Sequence, residues 1–151
     1  MWDGGYLAWR LYPDYPVMVD GRLEIYGPQK LAALRFATPR DVQRLNAQYR
    51  FGVILLNPTF HAPELIAWMR QQPRWRMVYA DVSGVLFVRI GPDGSPPWPA
   101  VDVNAPGFLP PNDAPRTSLD VLREKTRIRL IAALGLEERA LAEGKAILER
   151  E

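Results

Sequence analysis

Five residues pair reactive or binding-competent side chains with a position at or just beyond the end of an apolar run: Asp20, Arg22, Asn57, His61 and Asp81. Asp20 and Arg22 close the run Val17-Met18-Val19, with Gly21 between them as a turn residue. Asn57 follows Val53 to Leu56, His61 lies just beyond it, and Asp81 follows Trp75 to Ala80. Open α/β sheets gather ligands at the carboxyl ends of parallel strands. On that arrangement an acid, a guanidinium, a carboxamide and an imidazole would share one edge and serve an anionic or hydroxylated ligand. The same residue types also do purely structural work. Asp and Asn at strand ends satisfy turn and cap backbone groups, and Asp20 with Arg22 makes an ordinary ion pair. Both readings stand at this level.

Other chemistries are narrowed by what the chain lacks. Cysteine is absent, which removes disulfides, thiolate zinc sites, iron–sulfur clusters and cysteine nucleophiles. His61 is the only histidine, so a two-histidine metal site is excluded; between Pro58 and Pro63 it is a loop or capping residue, or else a base. Ser83 belongs to a turn, Ser118 to a helix cap, and no serine sits in a Gly-x-Ser-x-Gly elbow. Gly91-Pro92-Asp93-Gly94-Ser95 lacks the lysine spacing and following helix of a phosphate loop. Five tryptophans suit carbohydrate stacking, yet Trp9, Trp68 and Trp75 fall on expected core faces. No catalytic residue, metal or cofactor is assigned.

The elements that must position these residues follow from periodicity. Tyr6 to Tyr12 reads as a short helix ending before Pro13. Opening on a helix suggests that a strand preceding it lies outside this sequence. Pro16 to Asp20 is a strand, Gly21 a turn, Leu23 to Tyr26 an alternating segment, and Gly27-Pro28 a break before a helical turn or two over 29–36. Thr38-Pro39-Arg40-Asp41 is a helix start, with Thr38 as N-cap and Pro39 in the first position. That helix runs to about Arg50 and carries Val42, Leu45 and Tyr49 on one face. Phe51 to Pro58 has no polar alternation and reads as a central strand buried on both faces; strand, helix, strand then implies a right-handed parallel crossover. Pro63-Glu64 opens a helix with Leu65, Ile66, Trp68 and Met69 inward, stopped by Gln72-Pro73. Trp75 to Asp81 and Val85 to Ile90 form a hairpin through Val82-Ser83-Gly84.

The expected fold is therefore α/β: a small open, mostly parallel sheet with helices on both faces and a terminal β-hairpin, over residues 1–91. Residues 92–116 are a Pro/Gly-rich, semi-rigid connector, against which Trp98, Val101, Val103, Phe108 and Leu109 can still pack on the domain. Residues 117–151 form a helical hairpin, marked by Leu119, Leu122, Ile128, Ile131 and Leu134, a break at Gly135-Leu136, then Leu141, Ala142, Ala146 and Ile147. One such pair resembles the first unit of a helical repeat array without its signature residues.

Composition fits one ordinary domain with a small appendage: 151 residues, 48% hydrophobic, 24% charged, net charge +2. The basic residues are scattered and interleaved with acids, as at Arg123-Glu124-Lys125, so no nucleic-acid partner is expected. No apolar run approaches the ~20 residues of a transmembrane helix, and there is no basic-then-apolar signal peptide.

Taken together, GGYLAWRLYPDYPVMVDGRLEIYG, FGVILLN and PRWRMVYADVSGVLFVR resemble the soluble C-terminal region of large bacterial polytopic membrane proteins related to the GT-C glycosyltransferases. The likeness covers roughly residues 2 to 90. It implies a place on the outer face of the cytoplasmic membrane beside a membrane-embedded parent, and no sugar transfer by this chain alone, since that class keeps its catalytic acid in a loop between transmembrane helices. Asp20, Gly21, Arg22, Trp75, Tyr79 and Asp81 match recurring positions, and no chemical role is carried over to them. The leading expectation is a non-catalytic accessory or interaction domain. The alternatives are a stand-alone, cytoplasmic small-molecule-binding domain or enzyme using the strand-edge cluster, and a protein-binding scaffold built on the C-terminal helices. The oligomeric state is not legible from the sequence.

Overall fold

The computed structural model describes residues 38–59, 61–94, 98–111 and 117–149, with positions 10, 13–14, 27–29 and 32 before them. The chain divides into two units, 1–36 and 37–151. The strand over Pro16–Asp20, the turn at Gly21 and the alternating segment Leu23–Tyr26 lie outside the described residues, as do Asp20 and Arg22 and nearly all of the first helix.

Helix α1 spans Pro39–Tyr49 and begins as a capping box. The Asp41 amide donates to Thr38 Oγ1 at 3.2 Å, and the Thr38 amide donates back to Asp41 Oδ2 at 2.9 Å. Val42 and Leu45 face inward. Tyr49, expected on the same face, is instead exposed and stacks on Phe51 with ring centroids 6.1 Å apart. Strand β1 is Val53–Leu56, helix α2 is Pro63–Arg70, and strands β2 and β3 are Trp75–Ala80 and Val85–Arg89. Leu65, Ile66 and Met69 form the buried face of α2, which packs on β2.

The sheet has the order β1-β3-β2, and both pairings are antiparallel. The expected mostly parallel sheet is thereby corrected. The short turn after β2 forces β3 back alongside it, and β3 takes the position between β2 and β1. Consequently β1 and β2 run in the same direction without touching, and among the described residues β1 pairs on one side only, with β3. Its expected burial on both faces fails accordingly: Val53 is 48% exposed while Ile54 and Leu56 are buried. The strand buried most completely is β3, through Val85, Phe87 and Val88. In β2 the register shifts between Met77 and Tyr79, a bulge that leaves Val78 without a partner on β3.

After β3 the chain, in its described residues through Pro111, forms turns and irregular backbone with no helix or strand, in keeping with its prolines. It is nonetheless tied down: the Val101 amide donates to the Met77 carbonyl at 3.0 Å, and Val103 and Leu109 are buried. Helix α3, Ser118–Ala133, starts with a second capping box between Thr117 and Asp120, and α4 spans Glu137–Leu148. Gly135 makes the turn between them at φ 77°, a left-handed backbone that favours glycine. α3 packs against α2 and α4. Its inward residues differ from the expected leucine face. Leu119 and Leu122 are exposed, as is Leu141 on α4, while Glu124, Thr126 and Arg127 are buried beside Leu130, Ile131 and Leu134. Among the described residues no helix is long and apolar enough to cross a membrane.

Candidate functional site

Three of the five residues singled out by their chemistry are described, and the topology does bring their backbones to one end of the sheet. Leu56, Val85 and Ala80 lie in one row across β1, β3 and β2. Asn57 and Asp81 therefore leave the same edge, two strand spacings or about 10 Å apart. Their polar contacts are those of turns. Asn57 Oδ1 accepts from the Thr59 amide at 2.9 Å. Asp81 Oδ1 accepts from the amides of Ser83 and Gly84 at 2.7 and 2.8 Å, which builds the β2–β3 turn, and Asp81 Oδ2 accepts from the Tyr79 hydroxyl. That hydrogen bond to a carboxylate pushes the Tyr79 phenol up from its ordinary value.

His61 turns back on the same loop. Its Nδ1 lies 3.0 Å from both the amide nitrogen and the carbonyl oxygen of Asn57, accepting from the first or donating to the second according to tautomer. Burial lowers its pKa, only partly offset by the bond to Asn57, so the ring is neutral at pH 7. Among the described residues no group of three metal-ligating side chains converges.

A second cluster, of charged groups in the core, was not legible in the sequence. Arg127, 3% exposed, donates to Glu124 Oε1 from Nε at 3.0 Å and again from Nη2, and its Nη2 also contacts Glu143 Oε2. Arg127 Nη1 and Arg139 Nη2 each donate to the Leu109 carbonyl at 2.9 Å, and Arg139 Nε donates to Glu143 Oε1 at 2.7 Å. Burial alone would lower the pKa of the Arg127 guanidinium, but its two carboxylate partners outweigh that and raise it. Burial likewise would raise Glu143, but Arg139 and Arg127 hold its carboxyl below the usual range. Through the Leu109 carbonyl the cluster clamps the Pro-rich segment to the helix pair. Its only sequence signal was the spacing of Glu124 and Arg127, one helical turn apart.

The third feature is a pair of adjoining clefts at the opposite end of the sheet, where β2 begins and β3 ends. The larger, about 320 Å³, is bordered by Arg70, Gln71, Gln72, Trp75 and Arg76 over an apolar floor that includes Met77. The smaller, about 230 Å³, is bordered by Gln43, Asn46, Trp68, Arg74 and Trp75, and shares Gln72, Pro73 and Trp75 with its neighbour. Arg89 stacks over the Trp75 ring at 4.9 Å and donates to the Phe51 carbonyl and to Asn46 Oδ1. The run Arg70-Gln71-Gln72-Pro73-Arg74-Trp75-Arg76 was the available sequence signal, though it reads there only as a helix stop and a strand start. Compared with family models, curated proteins and solved structures, the chain matches none of them.

Proposed function

We propose that this chain is a non-catalytic interaction domain whose α/β core holds the C-terminal helix pair in a fixed orientation for a protein partner. The observation that carries this reading is a rigidly held helix pair with four of its leucines turned outward. The Arg127–Glu124–Glu143–Arg139 cluster ties the pair to the segment before it through the Leu109 carbonyl. Leu119, Leu122, Leu141 and Leu148 nevertheless remain 55%, 47%, 61% and 73% exposed. Length explains part of the overhang: α3 has 16 residues and α2 only 8, about 24 Å against 12 Å. Gly135, just after the C-terminal end of α3, lies against the Arg70 guanidinium at the end of α2, at the opposite end of α3 from Leu119 and Leu122. Apolar side chains presented on a fixed frame suit a helix-groove or helix-face contact.

The partner class follows from the resemblance given above: a polytopic membrane protein at the outer face of the bacterial cytoplasmic membrane, with this chain as its non-transferring soluble part. The test is site-specific photo-crosslinking in cells that carry the natural gene. A photoreactive phenylalanine at position 122 is expected to trap a discrete membrane-fraction partner that the same probe at position 93, in the turn after β3, does not. Equal labelling from both positions, or none from 122, would sink the interaction reading.

A further inference from the structure

Of all the basic side chains, four collect around one indole. Arg70 ends α2, Arg74 sits in the turn before β2 and Arg76 lies on β2, and these three border the clefts flanked by Trp75, while Arg89 on β3 lies over the Trp75 ring itself. No Asp or Glu borders either cleft among the described residues. None of the four guanidiniums is ion-paired to a carboxylate among the described residues. The whole chain carries a formal charge of only +2, so its acids are spent elsewhere and this corner stays positive. Arg89 bonds to neutral acceptors, a carbonyl and a carboxamide, so these contacts bring no opposing charge beside the ring.

We propose that the larger cleft binds a small phosphate monoester carried on a ring, with the phosphate between Arg70 and Arg76 and the ring against Trp75. The charge count selects the class. A carboxylate brings one negative charge, whereas a phosphate monoester brings about 1.5 to 2 at pH 7, a better match to several guanidiniums whose forked donors fit its oxygens. The carboxamides of Gln71 and Gln72 supply neutral donors to the remaining oxygens. The volume, about 320 Å³, sits at the small end of ligand pockets and suits a compact molecule. The floor of Met77, Ile90, Val101 and Val103 gives the body of the ligand an apolar bed. This site is independent of the outward leucines on α3 and α4.

The same headgroup chemistry occurs on soluble phosphate esters and on phosphatidic acid in a bilayer, and the experiment separates the two. The full chain, labelled with 15N, is titrated with phenyl phosphate and with inorganic phosphate while the Trp75 indole N–H is followed, its resonance assigned with W75F. Vesicle flotation is run in parallel with phosphatidylcholine alone and with phosphatidic acid added. A saturable Trp75 shift, stronger for phenyl phosphate than for phosphate and weakened roughly tenfold in each of R70A and R76A, is the expected result. R123A, on the exposed side of α3, leaves it unchanged. Flotation with phosphatidic acid, lost in R70A and R76A but without a Trp75 shift from phenyl phosphate, would overturn the ring-bearing ligand in favour of a lipid headgroup. Among the described residues Arg70, Arg74 and Arg76 make no ion pair, so the alanine variants are expected to keep the wild-type melting curve; R76Q is the substitute should R76A melt early. No response to either probe, or a response that both arginine variants retain, overturns the proposal.

Discussion

Replacing Arg127 with alanine tests whether the buried charge cluster holds the helix pair in place. Arg127 and Glu124 are 3% and 6% exposed, and the guanidinium makes two bonds to Glu124, one to the Leu109 carbonyl and an ion contact with Glu143. After the change the Leu109 carbonyl and Glu143 still have Arg139, but Glu124 keeps its desolvated charge without its guanidinium. Removing one partner of a buried pair costs about 3–5 kcal/mol. The side chains of Glu143 and Arg139 remain 23% and 32% exposed, so water reaches part of the cluster and the low end, about 3 kcal/mol, is the expected loss. At a urea dependence of about 1.5 kcal/mol per molar, the unfolding midpoint falls by about 2 M. The assay is urea unfolding followed by far-ultraviolet circular dichroism at pH 7 and fixed ionic strength, with the slope checked for constancy. The double variant E124L/R127M, which removes both charges and keeps the volume apolar, is expected to recover most of the loss. A loss under about 1 kcal/mol for R127A would refute the reasoning and leave apolar packing at Val103 and Leu109 as the clamp.

Three further outcomes follow from the same geometry. Burial depresses the pKa of His61 below its free value of 6.5, so the folded state binds protons less readily than the unfolded chain; melting temperature should therefore fall as pH drops through 6.5 and below, and H61Q should flatten that slope. Gly135→Ala places a side chain at φ 77° with its Cβ 3.2 Å from Arg70 Nη1, an exposed and movable group, so backbone strain dominates and stability should drop by about 1 kcal/mol in chemical unfolding. Phe87→Ala empties the centre of β3, where the ring is fully buried, and should cost about 3–5 kcal/mol by the same assay, whereas the equally aromatic but exposed Tyr79→Ala should cost far less.

The sequence by itself determined what depends on neighbours in the chain. Thr38-Pro39-Arg40-Asp41 specified a capping box because all its bonds close within one turn, and Thr117 with Asp120 repeated the device. The helix at Pro63, the hairpin through Val82-Ser83-Gly84, the irregular Pro-rich segment and the break at Gly135 were legible for the same reason. Convergence of Asn57 and Asp81 on one sheet edge was also expected, and it arises by another route: β1 and β2 share a direction with an antiparallel β3 between them. Only the tertiary structure decided that insertion, since strand order is set by pairing between distant segments and an apolar run looks alike at a centre or an edge. It also decided that α3 buries Glu124 and Arg127 and turns Leu119 and Leu122 outward, because the Leu109 carbonyl and α4 offer charged and polar groups a matched set of partners. Arginines that appear scattered along the chain become a single positive corner once β2, β3 and the end of α2 meet around Trp75, because charge adds up through space and not along the sequence.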